Sequence, residues 1–268
     1  MACPCVARGK PGTVARMTPA GDAFLLGAGA LAGLVGTAGG ITSLVSYPAL
    51  LLAGIAPLQA NVVNIVALVA CWPGSAAASQ PELRGQRDWL VRWCLVAALG
   101  GTAGSLLLLN TSAGVFSRVV PFLVAAGSLA LLLQPRIAAL PAWQDGGGQG
   151  RILLPAGLFA LSVYNGYFGA GSGVLLLALL LLTTDPRLAT ANALKNVLVG
   201  GASITSAILF AVLGHVVWSA VAPLAAGLLL GSLVGPWVAR RLPPTVLRWL
   251  VAITGLVLAV HLWLDPGA

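Results

Sequence analysis

The stretch "GAGSGVLLLALLLLTTDPRLATANALKNVLVGG", residues 169–201, decides how the chain is built. It opens on clustered glycines, runs through unbroken apolar residues, turns at "TTDPR", and enters a second apolar run that keeps one ammonium group, Lys195. With the residues before it, the first run spans 152–182. A second run of this kind covers 23–56. As continuous helices these would reach about 46 to 50 Å, against a hydrocarbon core of roughly 30 Å. Both must therefore be broken. The breaks are expected at "GAGSG", Gly169 to Gly173, and at "GTAGG", Gly36 to Gly40, since glycine supplies the positive φ of a tight turn at no Cβ cost. Close helix packing is the alternative use of such glycines; their coincidence at matching places in two stretches favours turns.

Composition fixes the class. The 268 residues are 59% hydrophobic and 7% charged, with a mean hydropathy of +0.98. Soluble domains carry about 25% charged residues, so this is a polytopic, all-α membrane protein. The net charge of +8 comes from basic residues placed singly or in pairs at the edges of apolar runs, as loops facing anionic lipid are, which excludes nucleic acid as a partner. Cys3 and Cys5 alone cannot complete a tetrahedral zinc site, and no metal or other cofactor is expected. Residues 1–20 lack the apolar core of a signal peptide and are expected to form a disordered tail.

Six further apolar stretches, near 60–79, 89–109, 115–134, 189–212, 216–239 and 246–264, have the roughly 20 residues of a membrane span. The two halves match. A shift of 133 carries Gly36 and Gly40 onto Gly169 and Gly173; a shift of 131 carries Asn61 onto Asn192, Asn64 onto Lys195 and Ser75 onto Ser206. A shift of 127 carries Gly100, Gly104 and Ser105 onto Gly227, Gly231 and Ser232. The expectation is a repeat at 21–134, a linker at 135–151 and a second repeat at 152–265, each a Gly-broken hairpin plus three transmembrane helices.

Hairpins that return to their side of entry make the repeats inverted. One side then holds Arg84, Arg87, Arg92, Arg136, Arg151, Arg187, Arg240, Arg241 and Arg248, against Arg118, Arg8, Lys10 and Arg16 on the other, nine to four. Single crossings would make the repeats parallel and divide the same residues eight to five. The inverted arrangement fits the excess of cytoplasmic Lys and Arg better.

If the breaks lie at depth, the helix after each one points its amino end inward, where free N–H groups and the positive end of the helix dipole attract anions. Thr37, Thr42, Ser43 and Ser172 add hydroxyls. Lys195 lies roughly two turns into its segment. It can snorkel, bond helix-end carbonyls, or face an internal anion. Asp22, Glu82, Asp88, Asp145, Asp185 and Asp265 all fall at ends or in loops, so an anionic ligand is the natural missing partner. Asn61, Asn64, Asn192 and Asn196 are intramembrane amides that can serve the same cavity or glue helices together. Tyr47, Tyr164, Asn165 and Tyr167 flank the hairpins and could close it.

These paired openings, "GTAGGITSLVSYPALLLAGIAPLQAN" and "GAGSGVLLLALLLLTTDPRLATAN", each followed by three apolar segments, resemble the TauE/SafE family of sulfite exporters over nearly all of the chain after residue 20. The resemblance implies a permease of the cytoplasmic membrane for sulfite or organosulfonates such as sulfoacetate. It places the family's Gly-rich openings on Gly36, Gly39, Gly40 and Gly169, Gly171, Gly173, and its small-polar lead into the next helix on Ala60, Asn61 and Ala191, Asn192. The first opening departs from a fuller glycine run.

The expected function is thus a secondary transporter of small sulfur-containing anions, alternating access around a midplane site lined by Gly36, Thr37, Gly39, Gly40, Asn61, Asn64, Gly169, Gly171, Ser172, Gly173, Asn192, Lys195 and Asn196. A passive anion channel, or a carrier for a small carboxylate or another inorganic anion, are the alternatives. No GxxxxGK[ST], HExxH or GxSxG occurs, which speaks against ATP drive and against an enzyme. The Gly-rich faces at Gly100 and Gly227 fit packing within one chain or in a homo-oligomer.

Overall fold

The computed structural model describes residues 18–39, 41–138, 149–184, 187–239 and 244–264. These form helices α1 (Pro19–Gly39), α2 (Thr42–Leu52), α3 (Pro57–Leu68), α4 (Cys71–Ala78), α5 (Gln80–Leu83), α6 (Arg87–Leu109), α7 (Ala113–Ala138), α8 (Gln149–Tyr167), α9 (Ser172–Thr183), α10 (Leu188–Leu213), α11 (Trp218–Ala239) and α12 (Pro244–Leu264). Local sequence explains the ends. Thr18 accepts the Gly21 N–H on its hydroxyl at 3.3 Å, Pro19 takes the first helical position, and Asp22 sits in the first turn, where its charge meets the dipole. Among the described residues, four helices are long and apolar enough to cross a membrane: 19–36, 87–109, 113–133 and 189–213. Large apolar side chains such as Leu99, Val212 and Trp263 point outward, as they do where the surrounding solvent is lipid.

Both long stretches are broken. The second breaks at 168–171, overlapping the expected cluster, with Gly169 at φ +82° and Gly171 at φ +78°, while Ser172 and Gly173 already belong to α9. The first corrects the expectation: Gly36 and Gly39 are helical within α1, and the interruption falls between Gly39 and Thr42. Gly36 serves close approach, since a Cβ there would overlap the Thr42 side chain and lie 2.8 Å from its Cα. The stretch at 60–79 is likewise two helices, α3 and α4, separated at 69–70. Helix α1 also begins before the expected limit of the tail, and α7 and α8 take up both ends of the expected linker. Gly40 and the linker residues 139–148 lie outside the described residues.

Glycines bring the long helices together. Gly29 and Gly33 of α1 lie against 224–228 and 228–232 of α11, so the register advances together and the two helices run in the same direction. Added methyls there would strike backbone, which is why only glycine permits this spacing. Gly100 and Gly104 of α6 meet 159–163 and 163–167 of α8 in the same parallel sense. Helix α10 follows α6 in register: Thr205 lies 3.2 Å from Ala98 O, and Ser206 3.0 Å from Gly101 O. Helix α4 follows α11, with Cys71 Sγ 3.7 Å from Leu228 O and Gly74 against Ser232. Helix α7 packs on α12 and α9, and α12 on α2.

Candidate functional site

The second break is a tied knot of hydrogen bonds. The N–H groups of Phe168 and Gly169 both return to Tyr164 O, at 2.9 and 3.1 Å, which ends α8. The Tyr164 hydroxyl donates to Ala170 O at 2.6 Å, holding the turn from the side. Ser172 Oγ reaches Asn165 Oδ1 and Gly169 O, both at 2.8 Å, and Asn165 Nδ2 donates to Ser203 Oγ at 3.2 Å. Asn165 thus links the end of α8, the start of α9 and the middle of α10. From the first half of the chain, Asn61 Nδ2 donates to Tyr167 O at 2.8 Å.

The first break meets the second. The Tyr47 ring of α2 stands edge-on to Phe168 with centroids 5.3 Å apart, and Ser43 Oγ would lie 3.8 Å from a Cβ placed on Gly169. Ser46 donates to Asn64 Oδ1, fixing α2 on α3. Helices α2 and α9 both begin here, so two helix N-termini come to the same region.

Between them lies a cavity of about 70 Å³. Gly36, Thr42 and Ser43 line it from the first break; Asn165, Gly169, Ser172 and Gly173 line it from the second. Lys195, Asn196, Val199, Gly200 and Ser203 of α10 line it, as do Cys71, Trp72 and Ser75 of α4, which packs on α10. Lys195 is 1% exposed, and its Nζ donates to Asn192 Oδ1 at 2.7 Å. An ammonium has three protons to donate, and no carboxylate is among the described lining residues. Burying an unpaired cation is costly, so the cavity is poised to take a negative group. Trp72 packs closely against Gly200, where a Cβ would overlap the indole.

Six of the sequence-predicted site residues line this cavity: Gly36, Gly169, Ser172, Gly173, Lys195 and Asn196. Asn192 stands behind it as the acceptor for Lys195. Gly171 forms the turn, against Gly127 of α7. Asn61 and Asn64 are fully buried on α3 and are not among the lining residues; Asn61 Oδ1 and Asn64 Nδ2 have no hydrogen-bond partner among the described residues. Thr37 and Gly39 belong to α1, and Gly40 lies outside the described residues. Of the flanking residues, Asn165 lines the cavity, Tyr47 and Tyr164 brace the breaks, and the Tyr167 ring packs on Phe116. Sequence reasoning missed Trp72, Ser75, Val199, Gly200 and Ser203. For Val199 and Ser203 a signal existed, because positions four and eight residues after Lys195 share its helical face.

The model of the family described as "Sulfite exporter TauE/SafE" matches residues 23–262. The chain belongs to the TauE/SafE family. Among its relatives, a probable membrane transporter protein of Haemophilus influenzae is 26% identical over 253 residues, 91% of this chain and 95% of that protein. The probable membrane transporter protein ORF9 of Sinorhizobium sp is 26% identical over 252 residues, 91% and 93% of the two chains. The probable membrane transporter protein YfcA of Escherichia coli K12 is 27% identical over 238 residues, 88% and 87%. No solved structure matches the chain. Family membership and the apolar helices make the protein a multi-pass membrane transporter of a small-molecule substrate, and not an enzyme.

Proposed function

We propose that the protein carries a small sulfur-containing oxyanion, sulfite or a short organosulfonate, across the cytoplasmic membrane by alternating access to the cavity between the two breaks. The observation that carries this reading is the convergence of two helix N-termini and one buried ammonium on a single space. Helix N-termini and an ammonium attract the same kind of ligand, and the hydroxyls around them suit an oxyanion.

The helix directions support two inverted repeats, at 21–134 and 152–265. Helices α1, α4 and α11 run one way together, and α6, α8 and α10 run together. With α6 recrossing the bilayer after the connection at 79–86, the second set runs opposite to the first, so α8 enters from the side opposite α1. Partners are exchanged accordingly: α1 leans on α11, and α8 on α6. Rocking of one repeat against the other would expose the cavity to each side in turn.

The test is sulfite uptake into proteoliposomes by the wild type and by Lys195→Ala. The expected result is saturable uptake that accelerates with sulfite preloaded inside, and loss of at least tenfold in a variant that still elutes as a single folded species. Uptake unchanged by the substitution would refute the role of Lys195. Uptake that is unsaturable and indifferent to preloading would identify a channel instead of a carrier.

A further inference from the structure

The cavity treats the two halves of the chain unequally, and that inequality carries a reading which rests on the proposal of alternating access by inverted repeats. The shift of 131 that carries Asn64 onto Lys195 also carries Leu68 onto Val199 and Trp72 onto Ser203. Leu68, Trp72, Val199 and Ser203 all line the cavity. At Leu68 and Val199 the halves match; one turn earlier they part. Helix α10 goes on lining the space with Asn196 and Lys195, whereas the matching residues of α3, Ile65 and Asn64, are 1% and 0% exposed and are not among the lining residues.

Rings shut the α3 end. A Cβ on Gly101 of α6 would lie 2.4 Å from Ala202 O of α10, and one on Gly166 of α8 would lie 2.3 Å from Gly101 O. These three residues therefore share a level across helices that run in the same direction. Lys195 lies seven residues before Ala202, about 10 Å to one side of that level, and Phe168 lies beyond Gly166 on the other side. The Phe168 ring meets Tyr47 of α2 with centroids 5.3 Å apart and Phe116 of α7 at 6.2 Å, and all three rings are buried.

Two asparagines of α3 are tied to the neighbours of these rings. Asn64 accepts from Ser46, beside Tyr47, and Asn61 Nδ2 donates to Tyr167 O, beside Phe168. The other end of each amide, Asn64 Nδ2 and Asn61 Oδ1, is buried without a partner among the described residues. A buried donor left unpaired is costly and calls for a reason. A carrier that alternates supplies one, because a donor orphaned in one state is engaged in the other.

We infer that Asn64 is the oxyanion-binding residue of a second vestibule, the inverted counterpart of the observed cavity, which opens to the other face of the membrane when the Tyr47 and Phe168 rings part. In that state the Lys195 end of α10 closes and the Asn64 amide donates to the substrate oxygens. The two faces thus offer the same anion different donors, a lysine on one and a neutral amide on the other.

The test uses single cysteines in a chain whose four native cysteines, Cys3, Cys5, Cys71 and Cys94, are replaced by alanine. Asn64→Cys and Ser75→Cys are each treated with trimethylammonioethyl methanethiosulfonate, an impermeant cation that an anion carrier does not move, in spheroplasts and in inverted vesicles. Ser75→Cys should react from one face and Asn64→Cys from the opposite face. Methanesulfonate, at a concentration that halves sulfite uptake, should slow both reactions at least threefold. Phe168→Ala should speed the reaction of Asn64→Cys at least fivefold. Ser46→Cys carries the same expectation as Asn64→Cys and keeps the test open should the latter fail to fold. Reaction of both α2 and α3 positions from the same face as Ser75→Cys, or from neither face in protein that takes up sulfite, overturns the second vestibule. Protection of Ser75→Cys alone overturns the role of Asn64 and leaves the anion site in the observed cavity. If methanesulfonate protects neither position, the anion passes elsewhere, and both this inference and the site it rests on fall. A rate unchanged by Phe168→Ala overturns the gate.

Discussion

Gly171 and Gly54 make a matched pair for separating backbone strain from crowding. Both have positive φ, +78° and +81°. A Cβ on Gly54 would meet nothing within 4 Å, whereas one on Gly171 would lie 2.6 Å from the Gly127 Cα of α7. Left-handed backbone costs an L-residue roughly 1–2 kcal/mol, and this applies to either substitution. Forcing a methyl into closed packing adds about 1–3 kcal/mol, and this applies to Gly171 alone. Gly54→Ala is therefore expected to cost about 1–2 kcal/mol and Gly171→Ala about 2–5 kcal/mol. The assay is denaturant unfolding of the purified protein in mixed micelles, run beside thermal loss of the monodisperse fraction. Because Gly171 precedes the first residue of α9, its substitution should also weaken sulfite uptake, and that of Gly54 should not. Equal destabilisation by the two alanines would refute the claim that α7 braces the second break.

Two further outcomes follow from the site. Asn165→Ala leaves Ser172 and Ser203 without their mutual link, and the loss of buried hydrogen bonds should cost about 1–3 kcal/mol, read in the same unfolding assay, with sulfite uptake reduced further than stability alone explains. Trp72→Ala removes an indole from the cavity lining and should let a longer organosulfonate compete with sulfite; an unchanged size cut-off would show that the indole does not bound the cavity.

Much of this arrangement was legible from residues alone, for physical reasons that differ by element. Long uncharged runs could only be membrane helices, and runs exceeding the bilayer thickness had to break. At Gly169 and Gly171 the break lies where the glycines are, because the turn itself needs positive φ. At Gly36 the same residue type serves packing against Thr42, and nothing in one sequence separates those two uses of glycine. Lys195 was identifiable because a lone cation in an apolar helix requires a reason. Trp72 was not, since an indole in an apolar run reads as an ordinary membrane residue, and only tertiary packing on Gly200 brings it to the cavity. The match of Asn64 to Lys195 by repeat offset did not extend to a shared cavity wall. Helix α3 buries Asn64 against Ser46, whereas α10 runs on unbroken past Lys195 along the cavity.

The seam between α1 and α11 has a consequence for how the protein is made. Helix α1 leaves the ribosome well before α11, because the backbone it fits against ends near residue 239 and roughly 180 residues separate the end of one from the start of the other. At about 5–20 residues per second, α1 waits on the order of 9–36 s in the bilayer before its partner exists. Through that interval its glycine face has only lipid, or another nascent helix, to touch. A gene cut within the linker should accordingly yield two fragments that are unstable when made singly and recover when both are synthesised in the same membrane.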